Sequence, residues 1–340
     1  MHCFEYGRGQ QPELEKYCFQ VSYYKRLNPT AAILSRLPYI VSSRKNEVLI
    51  KNLLKDNYPV LLEGIHCTYY LYKGLLSNRK VIVRLHNVEY EYYHELAGST
   101  RDSLKKIFYS LESRKLYKYE SLIANKATFL TVNEKDTNTY KKEFNCKDID
   151  FLPVFLPFQQ VTAKTGKGTF CLYQGNLSVP ENEKAVIWLL ENVFDNLDIE
   201  IVIAGKNPSH YLKKIALKYK WVKLIANPSN DEMESLIENA HIHLLPSFNI
   251  TGIKIKLLNA LFNGRFIITN QASVEGTDLE ILCEIAETPT EYKAAIKALL
   301  TKPFTEEMLM QRNTILQSKY DNGKHAKKLI KLLNLTLPGN

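Results

Sequence analysis

The chain is 340 residues long, 45% hydrophobic and 24% charged, with a formal net charge of +9, an ordinary globular composition with material for two cores. No apolar run reaches the roughly 18 residues of a membrane span, Met1 opens no signal-peptide pattern, and Cys3, Cys18, Cys67, Cys146, Cys171 and Cys283 stand singly without CxxC pairs, so zinc sites and a disulfide framework are excluded and a cytoplasmic chain is expected. The positive charge favours an anionic partner, a nucleotide or a lipid headgroup surface, and without a basic run or binding motif no nucleic-acid partner is expected.

The opening MHCFEYGRG starts at once with a β-like run and a loop. A parallel sheet is normally entered through a complete strand and helix, so one βα unit of roughly 30 residues is expected to be absent ahead of it. Strand-like runs then recur at Pro59 to Gly64, Lys80 to Leu85, Thr128 to Asn133, Phe170 to Gly175, Ile199 to Gly205, and in HIHLLP and RFIIT. Between them, apolar spacing predicts helices over Asn46 to Lys55, Asp102 to Asn125, Glu134 to Glu143, Asn182 to Val193, Tyr211 to Tyr219, Asp231 to Asn239 and Ile253 to Asn263. Such alternation specifies parallel sheets covered by helices, an α/β protein. FLPVFLPFQQVTAKTGKG, with its prolines and aperiodic polar tail, predicts a boundary: residues 1–157 form a first domain, 158–168 a linker and 169–320 a second domain. The last stretch, 321–340, is expected to be a helix and tail packing back on the first domain.

Two clusters stand where α/β proteins place working residues, at the carboxyl ends of strands. In the first half, LLEGIHC carries Glu63 and His66, and KVIVRL delivers Arg84, His86, Asn87 and Glu89. Glu63, His66 or His86 can orient a hydroxyl or act as its base, and a structural role for a lone histidine is the competing reading. In the second half, FNITGIKIKLLNALFNG places Gly252 in a loop and Lys254 and Lys256 in the first turn of the next helix. There the free N–H groups and the positive dipole end favour a phosphate. Lysines snorkelling into solvent from an ordinary helix are the alternative. Lys254, nearer the glycine, has the better claim of the two.

The order of VRLHNVEYEYYHEL, LYQGNLSVPENEKAVIWL, VIAGKNPS, IANPSNDEMESLI and PSFNITGIKIKLLNALFNGRFIITN resembles the GT-B glycosyltransferases, and among them glycosyltransferase family 4. The resemblance covers nearly the whole chain. It implies GT-B architecture, two Rossmann-like domains facing a cleft, the first incomplete at its amino terminus. It implies transfer of a sugar from a nucleotide-sugar donor, UDP- or GDP-linked and held by the second domain, to a saccharide or lipid-linked acceptor held by the first. His86 falls where the family contacts the transferred sugar, and Arg84, Asn87 and Glu89 lie on the acceptor side. Gly175 and Asn176 fall at the donor phosphates, where relatives often carry arginine or lysine. Pro228 and Ser229 match a segment that contacts the nucleotide base, with a plain helix cap by Ser229 as the other reading. Thr251 and Asn259 occupy the places of the two glutamates that bracket the donor sugar and ribose; neither is a carboxylate, though both can hydrogen-bond hydroxyls. The enzyme reading is bacterial surface polysaccharide synthesis in the cytoplasm, with peripheral contact to the inner membrane. Its alternative is a non-catalytic GT-B-like protein that binds a sugar nucleotide or a partner transferase. No DxD-like acidic pair, G-x-G-x-x-G or P-loop is present, so no metal and no nicotinamide or other cofactor is expected.

Overall fold

A computed structural model describes residues 1–5, 9–28, 35–100, 102–195 and 197–335. The chain divides into two compact units, Met1–Pro153 with Ala326–Asn340, and Val154–His325. Segment 158–168 thus lies wholly within the second unit.

In the first unit, β1 (His2–Phe4) and β2 (Ser22–Tyr24) form a small parallel ribbon apart from the main sheet. After α1 (Glu47–Leu53), β3 (Val60–Glu63) and β4 (Val81–Leu85) begin a four-stranded parallel sheet. The helices α2 (Glu89–Ser99) and α3 (Ser103–Ile123) separate β4 from β5 (Thr128–Thr131), and α4 (Glu134–Phe144) leads to β6 (Ile149–Phe151). Strand order is β3-β4-β5-β6. Val81, Val83 and Leu85 on one face pack with Tyr119, Ile123 and Phe129. Sequence periodicity missed β6, because IDF is short and leads directly into FLPVF.

The second unit is a six-stranded parallel sheet of order β12-β11-β10-β7-β8-β9. Its strands are β7 (Cys171–Asn176), β8 (Ile201–Lys206), β9 (Val222–Ala226), β10 (Ile242–Leu244), β11 (Phe266–Thr269) and β12 (Glu284–Ile285). The helices between them are α5 (Pro180–Trp188), α6 (His210–Ala216), α7 (Asn230–Asn239) and α8 (Ile255–Asn263), followed after β12 by α9 (Pro289–Thr301) and α10 (Glu306–Tyr320). Order reverses between β7 and β10, so the β7 end is a topological switch point, where open α/β sheets bind ligands. Gly205 makes this edge possible: a Cβ there would lie 1.8 Å from the Gly175 carbonyl oxygen.

The final helix α11 (Asn322–Leu332) passes from the second unit into the first. Its Leu329 and Leu332, with Leu333, pack against Ile82, Leu130 and Leu152 on the other face of the first sheet. Lys328 donates to the Phe151 carbonyl at 2.9 Å and pairs with Asp150 at 2.5 Å. Among the described residues no helix is long and apolar enough to cross a membrane.

Candidate functional site

Each unit carries a cluster at the carboxyl edge of its sheet. In the first, β3 and β4 pair in register with Glu63 beside Arg84, so parallel strands bring both side chains to one edge. Arg84 Nη1 lies 3.4 Å from Glu63 Oε1, and His86 Nε2 shares a 2.8 Å hydrogen bond with Glu63 Oε2. Arg84 is held from behind by the Pro153 carbonyl at 3.0 Å, while His86 is exposed. Burial alone would raise the Glu63 carboxyl; the hydrogen bond to His86 and the charge of Arg84 more than offset it and hold its pKa below the usual value. The result is an ionised carboxylate holding an accessible imidazole in a fixed direction.

His66 stands close enough to this set for His86 to act on its charge. It is largely withdrawn, and burial, with Arg44, His86 and Arg26 nearby, lowers its pKa to about 3, which makes it a very weak base. Its ring lies on Gly64, where φ is +84° and a Cβ would come within 2.2 Å of His66 Cε1, so packing explains this histidine. Glu89 and Asn87 hydrogen-bond each other, and burial raises the Glu89 carboxyl. The backbone N–H groups of Glu89 and Tyr90, which open α2, donate to buried Glu120 at 3.0 Å each. Tyr90 packs on Tyr117 and Phe144.

In the second unit Lys256 alone of the two lysines lies in the first turn of the helix. Helix α8 begins at Ile255, and Lys254 is its N-cap residue instead of a first-turn residue. The extended backbone at Lys254 (φ −90°, ψ 92°) ends the glycine loop there, and its Nζ turns back to the Thr251 carbonyl at 2.6 Å. Lys256 Nζ reaches the end of β7, 2.9 Å from Asn182 Oδ1 and 3.2 Å from the Tyr173 hydroxyl, and lies over the Tyr173 ring at 4.9 Å. Asn182 Nδ2 in turn donates to the Asn176 carbonyl at 2.9 Å. Burial, reinforced by Lys254, lowers Lys256 to about 8 although Glu181 works in the opposite direction. A half-desolvated ammonium at a helix N-terminus and a strand end is poised to gain from an anion that restores its charge.

The other residues have local partners. Thr251 is buried, its hydroxyl on Asn249 Oδ1 at 2.7 Å, and Asn249 donates to Glu181 at 2.8 Å. Asn259 accepts from Asn263 one turn on at 2.7 Å. Ser229 caps α7 in a reciprocal box with Glu232, so its hydroxyl does what the plain-cap reading expects; Pro228 before it is buried. Gly175 abuts the Asn182 side chain, and Gly252 takes φ +65°. Tyr173, Glu181 and Asn249 were missed because they stand in an apolar strand, a helix start and a polar loop, none of which marks a residue by type. Among the described residues no group of three or more His, Cys, Asp or Glu is placed to hold a metal ion.

Solved structures share this architecture. Anabaena HepE, in complex with UDP and glucose, superposes with a TM-score of 0.61 at 10% identity, covering 95% of this chain and 88% of that one. S. aureus TarM, crystallised as a mutant with fondaparinux, α-GlcNAc-glycerol and UDP, gives 0.57 at 11% identity over 76% of this chain, which spans about half (51%) of the TarM chain. The fold is therefore that of the GT-B glycosyltransferases. No protein-family model matches the chain. At the sequence level it is 30% identical over 291 residues to the "uncharacterized 44.6 kDa protein in cps region" of Klebsiella pneumoniae, covering 80% of this chain and 73% of that protein, and it belongs to that protein's family.

Proposed function

We propose that the chain is a hexosyltransferase-type glycosyltransferase. It moves a sugar from a UDP- or GDP-linked donor to a saccharide or lipid-linked acceptor in bacterial surface polysaccharide synthesis, working in the cytoplasm with peripheral contact to the inner membrane. The observation that carries the reading is Lys256 anchored by Asn182 and Tyr173 at the switch point of a GT-B fold. A neighbour in that fold was solved with UDP, and the cps-region relative supports the polysaccharide setting.

The chemistry follows from charge. As the glycosidic bond breaks, the nucleoside diphosphate gains negative charge, and Lys256 with the α8 N-terminus stabilises it more than the ground state. Lys254, capping the same helix, adds to the local positive potential. In the first unit the Glu63 carboxylate orients His86, whose exposed ring accepts the proton of the acceptor hydroxyl or holds the transferred sugar. Arg84 keeps Glu63 ionised.

One observation favours the second reading, a non-catalytic protein that binds a sugar nucleotide or partner transferase: Thr251 and Asn259 stand in place of carboxylates and are engaged locally. Incubation with UDP- and GDP-sugars and a saccharide or lipid-linked acceptor decides between them. The enzyme releases nucleoside diphosphate with acceptor present, and His86→Ala abolishes release while binding persists. Binding without release under every pairing supports the second reading.

A further inference from the structure

Helix α3 buries one face through Leu116, Tyr119 and Ile123, the last two in the first unit's core. The opposite face should be polar in a helix that ends at solvent. Instead Leu104, Ile107, Leu111 and Leu122 are 80%, 59%, 52% and 58% exposed. With Arg114 and Lys118 they fall at i, i+3, i+7, i+10, i+14 and i+18, a single stripe within about 80° on a helix of 3.6 residues per turn. An apolar row of this length left in water marks a contact surface.

Charge selects the partner. Within α3 the carboxylates are Glu112 and Glu120, both buried, while Lys105, Lys106, Arg114 and Lys118 are all exposed. Asp102, the N-cap, is an exposed acid next to the helix, 3.9 Å from Lys105. The outward face is thus apolar from Leu104 to Leu111, cationic at Arg114 and Lys118, and apolar again at Leu122, with Lys105 and Lys106 exposed beside it. Two such faces from two copies would repel each other, whereas a layer of anionic headgroups over hydrocarbon matches both components.

We infer that this face of α3, Leu104, Ile107 and Leu111 flanked by Arg114 and Lys118, lies in the headgroup layer of an anionic phospholipid membrane and docks the first unit there. This deepens the peripheral contact proposed above and is independent of whether sugar is transferred. The test is flotation of the full chain with vesicles of phosphatidylcholine alone or with a quarter phosphatidylglycerol, at low and high salt. The chain is expected to float with the anionic vesicles, much less with the zwitterionic ones, and to be released by salt. Arg114→Gln with Lys118→Gln lowers partitioning roughly tenfold or more, since each basic residue near an anionic surface contributes severalfold. Ile107→Ser with Leu111→Ser abolishes it, and Leu217→Ser, on an exposed apolar site of the second unit, leaves it unchanged. All variants should keep the parent circular dichroism and melting temperature. The inference is overturned if the parent ignores anionic vesicles, if the α3 variants float as the parent does, or if sedimentation shows a dimer that Ile107→Ser with Leu111→Ser dissolves. Failure to float with nucleotide-sugar binding intact would leave the transferase reading standing.

Discussion

Lys256 and Lys254 stand two residues apart and do different things. Their inequality follows from helix geometry, since positions two apart diverge by about 200°, and it is Lys256, not the Lys254 favoured on sequence, that reaches the end of β7. Gly252 made Lys254 look closer to a phosphate; the loop instead folds the Lys254 ammonium onto the Thr251 carbonyl, leaving Lys256 to reach β7. No local pattern shows which of two lysines a loop will retain. Lys256→Ala is expected to weaken nucleoside diphosphate binding roughly ten- to a hundredfold, as for loss of a charge-assisted contact in a partly dry site, and Lys254→Ala by less; calorimetric titration of each measures this. Because Lys256 is lowered to about 8, its charge is lost as pH rises through that value. Affinity should therefore fall between pH 7.5 and 9.5 in the parent and stay flatter in Lys256→Ala. In the first unit, Glu63, Arg84 and His86 were legible because parallel register forces strand ends together. The packing of His66 against Gly64 was not, because it depends on a positive-φ turn. Glu63→Gln should lower turnover more than donor affinity, a split that comparing kcat with the donor Kd detects.

Among the elements, the helices of strong apolar period and the strands of the second sheet's centre were readable within a few residues. Three strands of two or three residues, β2, β6 and β12, were too short for periodicity to register, and the five-residue edge strand β9 was missed as well, whereas the three-residue β10 was read because the apolar run HIHLLP extends beyond it. The β7–β8 pair gives a sharp test of why Gly205 sits where it does. Gly205→Ala would drive its Cβ against backbone at 1.8 Å, where no side chain can swing aside, and is expected to cost about 3 kcal/mol, read as a lower denaturant midpoint. By comparison Ser229→Ala, which removes one half of the α7 capping box, should cost about 1 kcal/mol and leave nucleotide affinity unchanged. A large loss of affinity there would instead return Ser229 to the base-contacting role that the resemblance implies.

For the whole molecule, two buried carboxyls of the first unit shape the pH response near neutrality. Burial raises Glu120 to about 8, with Tyr140 and the α2 N–H groups partly offsetting it, and raises Asp136 to about 7 against the pull of Asn133. Folded-state values above the unfolded ones mean the folded chain holds more protons. Their contribution is full below about pH 4 and is lost as pH rises through 7 and 8. His66 and His243, lowered to about 3 by burial, act in the opposite direction up to about pH 6.5, so the carboxyls are read above it: the melting temperature should fall from pH 6.5 to pH 8, and less steeply in Glu120→Gln; equal slopes in parent and variant contradict the assignment. Alternation of strands and helices made the α/β architecture legible from sequence. The closing helix, expected to pack back on the first domain, covers Ile82, Leu130 and Leu152 there, though periodicity alone did not name those residues.

Nucleoside diphosphate binding to the second unit is proposed to run through Lys256. Isothermal titration of the full chain with UDP and with GDP, parent against Lys256→Ala, tests it most directly. Saturable heat is expected for at least one nucleotide in the parent, with a roughly ten- to hundredfold loss in the variant. No heat with either nucleotide from the folded parent, or equal affinity in the two proteins, would contradict it.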